Sequence, residues 1–156
     1  MALAERVRHA DFLSRSMTAE QAAQHVAHGA TVGLSGFTGA GYPKALPQAI
    51  AAHAQSEHKA GQPYRINVWT GASTAPEVDG LLAAADAMAQ RLPFNSDAMA
   101  RKKINAGDID YIDMHLSHVA QHAWFGFLGR LDVAIIEIVG VTADGLLIPS
   151  TAVGNN

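Results

Sequence analysis

"VGLSGFTGAGYPKALP", residues 32–47, places four glycines, Gly33, Gly36, Gly39 and Gly41, within nine positions. An apolar run precedes them and a helix-like stretch follows, so the segment reads as strand, glycine loop and helix, the opening of a βαβ unit. Glycine between a strand and a helix admits positive φ and lets another group come close to the backbone. The free amides of the next helix, with Pro43 expected near its first position, present positive charge outward. An anionic or oxyanion-bearing ligand is therefore expected at this loop. The spacing G-x-x-G-x-x-G-x-G is neither the G-x-G-x-x-G of dinucleotide folds nor the G-x-x-x-x-G-K-[ST] of nucleoside-triphosphate loops.

Outward from this loop the chain alternates helix and strand patterns. Strands are expected at 31–35, 66–70, 110–114 and 132–141, with helices at about 43–55, 76–90, 97–106 and 119–128 between them. Before them lie a helix over 2–15 and a second starting at Thr18, where T-x-x-Q (Thr18, Gln21) forms a capping box and Gly29 ends the segment. This order predicts an open α/β fold with a mostly parallel sheet and helices on both faces. The stretch "DVAIIEIVGV" (132–141) is apolar on both alternating sides apart from Glu137, as in a strand covered on both faces. "TADG" (142–145) then predicts a turn into "LLIPS", a hairpin at the sheet edge. The chain halts just after that strand, where an α/β fold would continue, so a domain truncated at its C-terminal end is expected across 1–156.

Composition narrows the function classes. The 156 residues are 49% hydrophobic with mean hydropathy +0.06, enough for one domain with a sizeable core. Eleven Lys+Arg against fourteen Asp+Glu give a net charge of −3, and no basic cluster exceeds Arg101-Lys102-Lys103, so no nucleic-acid partner is expected. There is no cysteine, which excludes disulfides and thiolate metal sites and is compatible with a reducing cytoplasm. Charges interrupt the N-terminal "MALAERVRHADFLSRS", and no run of about 18 apolar residues occurs, so neither signal peptide nor membrane span is expected.

Ligands of open α/β sheets bind at the carboxyl ends of the strands, and two further strand exits carry unusual loops. In "TGASTAPEVDG" (70–80) small residues precede a helix that Ser73 or Thr74 could cap. In "MHLSHVAQH" (114–122), His115, His118 and His122 invite a metal reading, but the glutamate of H-E-x-x-H is absent and no carboxylate follows at ligand spacing. No metal is expected; the histidines read as polar loop residues or hydrogen-bond partners of a substrate. Glu137 is expected to pair with an arginine such as Arg130 or with backbone amides. Asp108, Asp110 and Asp132 read as solvated or capping residues.

These loops, "SGFTGAGYPKA" and "MHLSHV" above all, resemble the N-terminal region of the acetyl-CoA hydrolase/transferase family from about residue 11 onward. Within it, the chain is most similar to CoA-transferases acting on succinate, acetate or propionate. The resemblance implies a class I CoA-transferase of two similar α/β domains, working as a homodimer on acyl-CoA and small carboxylates. Coenzyme A would then be a co-substrate and no cofactor would be covalently held. It also implies a glutamate nucleophile that forms an acyl-glutamyl anhydride and then a glutamyl-CoA thioester. None of the five glutamates here (Glu5, Glu20, Glu57, Glu77, Glu137) stands in that context, so the nucleophile is expected beyond residue 156, in a second domain. By the same resemblance, Ser73 would hydrogen-bond that glutamate or the bound carboxylate. The loop Gly36, Phe37, Thr38, Gly39, Ala40 and Gly41 would line the acyl pocket, with His115 a further substrate contact. Two other readings are a small-anion or CoA-binding module without chemistry, and an inactive fragment that only pairs with a missing second half.

Overall fold

The computed structural model describes residues 3–151 and 153–155. In chain order its elements are helix α1 (Leu3–Arg6), α2 (Ala19–Ala23), strand β1 (Thr31–Leu34), α3 (Ala45–Lys59), β2 (Ile66–Thr70), α4 (Leu81–Ala84), β3 (Met88–Leu92), α5 (Ala98–Ala106), β4 (Asp110–Tyr111), α6 (Leu116–Trp124), β5 (Val133–Ile135), β6 (Ile138–Val141) and β7 (Leu147–Pro149). A short 3-10 turn (Leu13–Arg15) follows α1, and a π turn (Pro76–Gly80) runs directly into α4.

Five strands form one fully parallel sheet in the order β4-β3-β2-β1-β5. From β1 the chain steps outward through β2, β3 and β4, then returns to place β5 on the other side of β1. Right-handed crossovers require the outward and returning helices to lie on opposite faces. The packing follows. Ala23 of α2, Ile50 and Ala54 of α3, Leu82 of α4 and Ala100 of α5 bury one face with Val32, Val68 and Met88. Val119 of α6 buries the other with Trp69 and Leu92.

Local signals explain most boundaries. Thr18 Oγ1 accepts from the Gln21 amide at 3.2 Å while Gln21 Oε1 accepts from the Thr18 amide at 2.9 Å, the capping box read from sequence. Asp97 caps α5 by accepting from the Ala100 amide, and Gly107 ends it at φ +80°. The hairpin of β6 and β7 forms around Thr142–Gly145 as expected, but as a separate two-stranded antiparallel sheet.

Five expectations are corrected. The helix over 2–15 is limited to α1 and the 3-10 turn, because Val7 leaves to bridge Val141; Ala2 lies outside the described residues. Pro43 precedes α3 by two residues, and Pro47 occupies its first turn instead. The helix over 76–90 stops before Asp86, whose φ of +55° breaks it, and residues 88–92 form β3. The strand over 132–141 divides at Ile136 and Glu137, and Ala134 of β5 is exposed, so that strand is not covered on both faces. Asp132 accepts from the Thr31 amide at 3.0 Å and pairs with Arg130 at 3.0 Å, which leaves Arg130 engaged away from Glu137.

At the amino end of the sheet, Asp86 meets Arg65 at 2.7 Å and Lys103 at 2.8 Å. Burial works against ionisation of Asp86, but the hydrogen bonds and charges of Arg65 and Lys103 outweigh it and hold its carboxyl below the usual aspartate range. A carboxyl with a depressed folded-state pKa stabilises fully above its ordinary pKa of about 3.9, and that contribution is lost as pH falls through the folded-state value. Asp86→Asn keeps a residue that tolerates positive φ and removes only the charge. Both pairs are partly solvent-exposed, so it is expected to cost about 1 kcal/mol at pH 7. In urea unfolding, the gap between the two proteins should close below about pH 3.9 and not above it.

Candidate functional site

The chain reverses direction across the sheet at β1, so the exits of β1 and β5 diverge and open a crevice at their carboxyl ends, where open α/β sheets place ligands. Three of the loops singled out from sequence meet at this end: 35–44 after β1, 71–75 after β2 and 112–115 after β4. Ser35 joins the diverging exits. Its hydroxyl donates to the Gly41 carbonyl at 2.8 Å and accepts from the Glu137 amide at 3.0 Å. Glu137 thus lies at the mouth of the crevice and not in the middle of a strand.

The glycines divide by function. Gly36 has φ +118°, and a Cβ there would lie 2.6 Å from Tyr42 Cβ, so no other residue fits. Its amide donates to the Val153 carbonyl at 3.2 Å. A Cβ on Gly71 would lie 2.8 Å from the Asn155 amide nitrogen, and one on Gly154 would collide with the Gly36 carbonyl. What comes so close to these glycines is the chain's own 153–155 segment, threaded between the exits of β1 and β2. Gly36, Gly71 and Gly154 are thus explained by the chain's own backbone. Gly33 faces Leu131, and Gly41 has φ +67°. Gly39 has open space around it.

Between Gly36 and Gly41 the loop forms a tight hairpin, with Phe37 and Ala40 exchanging backbone hydrogen bonds of 2.8 and 3.0 Å. Thr38, at its tip, holds φ +50°, an unusual conformation for a β-branched residue. Its amide donates to the Ala72 carbonyl at 3.0 Å, locking this tip to the β2 exit. Below the tip Tyr42 is buried, with Lys44 Nζ 4.5 Å from its ring centre. Burial and the neighbouring Glu77 carboxylate push the Tyr42 hydroxyl up to about 12. A backbone hydrogen bond and the Tyr42 hydroxyl hold Glu77 below its usual range.

The hairpin tip forms one wall of a cleft of about 710 Å³, large enough for a small ligand. Phe37, Thr38, Ala72, Thr74, Phe94 and Ser96 line one side, and Asp113, His115 and Ser117 line the other. Of the residues singled out from sequence, Phe37, Thr38 and His115 are therefore brought together. Gly36 and Gly41 support the hairpin from behind. Gly39 and Ala40 sit exposed at its end. Ser73 lies between two lining residues, Ala72 and Thr74, but is itself fully buried, and its Oγ makes no hydrogen bond among the described residues. Neither Ser73 nor Thr74 caps the following turn: its cap is Ala75, and Thr74 Oγ1 accepts from the Ser96 amide at 3.0 Å. His118 and His122 stack along α6 with ring centres 5.9 Å apart, His115 just before the helix meets His118 edge to face at 5.6 Å, and no group of three metal-ligating side chains converges among the described residues.

Beneath the β2 exit lies a feature that reading the sequence missed. Arg91 of β3 and Asp79 of the π turn are both fully buried and meet at 2.6 Å. The guanidinium also donates to Thr70 Oγ1 at 2.9 Å, to the Ser73 carbonyl at 2.8 Å and to the Leu92 carbonyl. A second, apolar cavity of about 380 Å³ lies between α6, β1 and β5, with Trp69, Val119, Leu131 and Ala134 among its walls. Trp124, Phe125 and Phe127 project beside it, 84%, 72% and 75% exposed, far more apolar surface than isolated side chains usually present together.

The sequence matches the family model described as the acetyl-CoA hydrolase/transferase N-terminal domain over residues 1–156. It is 45% identical to the propanoyl-CoA:succinate CoA transferase of Escherichia coli over 89% of this chain and 28% of that protein. To the succinyl-CoA:acetate CoA-transferase of Clostridium kluyveri it is 38% identical over 97% of this chain and 28% of that protein. To the acetyl-CoA hydrolase of Yarrowia lipolytica it is 36% identical over 97% of this chain and 31% of that protein. The chain thus spans less than a third of the length of these curated relatives. Among solved structures, a point mutant of RipA shares the fold with a TM-score of 0.60 at 18% identity, over 81% of this chain and 29% of that one.

The glycine geometry separates support from site. Gly36→Ala, with a forbidden Cβ contact and strained φ, is expected to destabilise by about 2 kcal/mol or more. Gly39→Ala, with open space around it, should change stability by less than about 0.5 kcal/mol. Thermal unfolding of the two variants checks the contrast, and equal losses would show that Gly39 is as structural as Gly36.

Proposed function

The chain belongs to the acetyl-CoA hydrolase/transferase family, and from that membership we propose that it is the N-terminal part of an acyl-CoA:carboxylate CoA-transferase. The complete enzyme would move CoA between small carboxylic acids such as acetate, propionate and succinate. The observation that carries this reading is the 45% and 38% identity to two relatives named as CoA transferases, against 36% to one named as a hydrolase. The cleft at the carboxyl ends of the strands supports it, because that is where open α/β sheets bind their ligands.

The chemistry proposed is covalent. A glutamate carboxylate attacks the thioester carbonyl of acyl-CoA, the C–S bond breaks, and an acyl-glutamyl anhydride forms with CoA leaving as thiolate. The thiolate then attacks the glutamyl carbonyl, expelling the acyl carboxylate and leaving a glutamyl-CoA thioester. An incoming carboxylate reverses the two steps and leaves with the CoA. The nucleophile is assigned to a second domain outside residues 1–156. In this reading the Thr38 hairpin and His115 line the acyl pocket, while Ser73 reaches the glutamate or the bound carboxylate. Coenzyme A acts as co-substrate, with no covalently held cofactor.

The aromatic rim at Trp124, Phe125 and Phe127 and the outer edge of β5, unpaired among the described residues, would be covered by the rest of the enzyme. The complete enzyme is proposed to be a cytoplasmic homodimer; no described helix is long and apolar enough to cross a membrane.

The complete polypeptide, incubated with propanoyl-CoA alone, is expected to gain a covalent CoA adduct by intact mass. Adding succinate should discharge the adduct and release succinyl-CoA. Residues 1–156 alone should do neither, since half a site cannot hold the transition state. Release of free CoA at the same rate with and without succinate would make the enzyme a hydrolase instead.

A further inference from the structure

We propose that the buried Arg91–Asp79 pair is a positioning device for the Ser73 hydroxyl. The proposal rests on the reading of Ser73 as an active-site side chain. Its starting point is where the guanidinium's hydrogen bonds go. Arginine carries five N–H donors in a fixed plane, and all five are used: Nε and Nη2 on the two Asp79 oxygens at 2.6 and 3.3 Å, Nη1 on Thr70 Oγ1 and the Leu92 carbonyl, and Nη2 also on the Ser73 carbonyl. Two of the acceptors, Thr70 and Ser73, bracket the short exit of β2. Thr70 Oγ1 closes the same bracket from its side, within 2.9 Å of the Gly71 carbonyl and 3.0 Å of the Ser73 carbonyl.

The backbone on both sides of Ser73 is therefore clamped, while the Ser73 hydroxyl itself receives nothing from the network. It is fully buried and has no partner among the described residues. A buried hydroxyl without a partner is unfavourable, and native structures rarely keep one without a reason. The adjoining Ala72 carbonyl is bound to the Thr38 amide, so the clamp also sets the distance between Ser73 and the hairpin tip of the cleft. A pair kept only for stability would be poorly chosen, because apolar residues of similar volume commonly hold a fold as well as a buried ion pair does. What apolar residues cannot do is fix the Ser73 carbonyl and Thr70 Oγ1 at once. A reacting site needs that fixity, because small displacements of a positioned donor cost rate.

The test is a double-mutant cycle in the complete enzyme, with propanoyl-CoA and succinate as substrates. Ser73→Ala is expected to lower kcat about 100-fold. The paired variant Arg91→Met/Asp79→Leu removes both charges together, so it should stay folded by circular dichroism. Its kcat should fall by about the same order, with the KM for propanoyl-CoA within about threefold. Adding Ser73→Ala to the paired variant should then cost less than about threefold more, because the two changes act through one group. Should the paired variant fail to fold, Thr70→Val, which removes one acceptor without a charge change, takes its place in the same cycle. Losses that multiply, or a full kcat in the folded paired variant or in Thr70→Val, would overturn the positioning role alone. Full activity in Ser73→Ala would overturn the active-site reading of Ser73, and the positioning role with it.

Discussion

An arginine and an aspartate with no solvent contact hold the centre of this structure. Removing a guanidinium and a carboxylate from water is unfavourable by several kcal/mol for each, and their attraction repays this only when the geometry is good and every remaining donor is satisfied. That condition is met at Arg91, and meeting it constrains everything nearby. Arg91 must point to the face where Asp79 waits. A one-residue slip of β3 would turn it to the opposite face and strand the charge. The register that pairs Arg91 with Val68 on one side and Tyr111 on the other is thereby fixed. The π turn at 76–80 delivers Asp79 to the same point, so the β2 exit, the π turn and β3 converge on one charge pair.

The sheet supplies the other constraint. Strands added outward from β1 and a strand returned to its far side force helices onto opposite faces, and the loops at β1 and β5 part where the direction changes. Ser35 bridges that parting with one hydroxyl, giving to Gly41 and taking from Glu137. The cleft beside the Thr38 hairpin is walled by the exits of β1, β2, β3 and β4, and the clamp around Ser73 fixes the backbone between two of its lining residues, Ala72 and Thr74. Handedness orders the strand exits, and a buried charge pair fixes the β2 exit among them.

The sequence made the alternation of elements legible because its strongest signals are local. Thr18 with Gln21 and the Thr142–Gly145 turn act within a few residues, and each is present in the fold. The family itself was legible from the loops at 35–44 and 114–119, whose residue order is unusual. What stayed hidden depends on distant partners. "MAQRL" has helix-forming residues, and only the burial of Met88, Arg91 and Leu92 between neighbouring strands makes it β3. "DVAIIEIVGV" looks like one strand because apolar content cannot show that its second half leaves to join β7 and Val7. Arg91 and Asp79, twelve residues apart and carried by different elements, left no spacing to recognise.

The glycine loop meets part of its close approach from within the chain itself. Gly36 does allow a close approach, and Gly71 and Gly154 allow two more, but the groups that approach are backbones of this same chain. Three glycines let the 153–155 segment, the β1 exit and the β2 exit meet without side chains between them. The strain that remains is at Thr38. Of the two central residues of its hairpin only Thr38, the first, has positive φ, and a turn of that kind usually places glycine there; here the glycine stands second. The Ala72 carbonyl and the Phe37–Ala40 hydrogen bonds hold Thr38 in that conformation. A hairpin stiffened from behind by obligatory glycines, and tethered at its tip to the loop that carries Ser73, presents its outer surface at a fixed distance from that residue. The glycines therefore serve the site indirectly: they build the rigid wall, and the side chains at 37, 38 and 115 face the cleft.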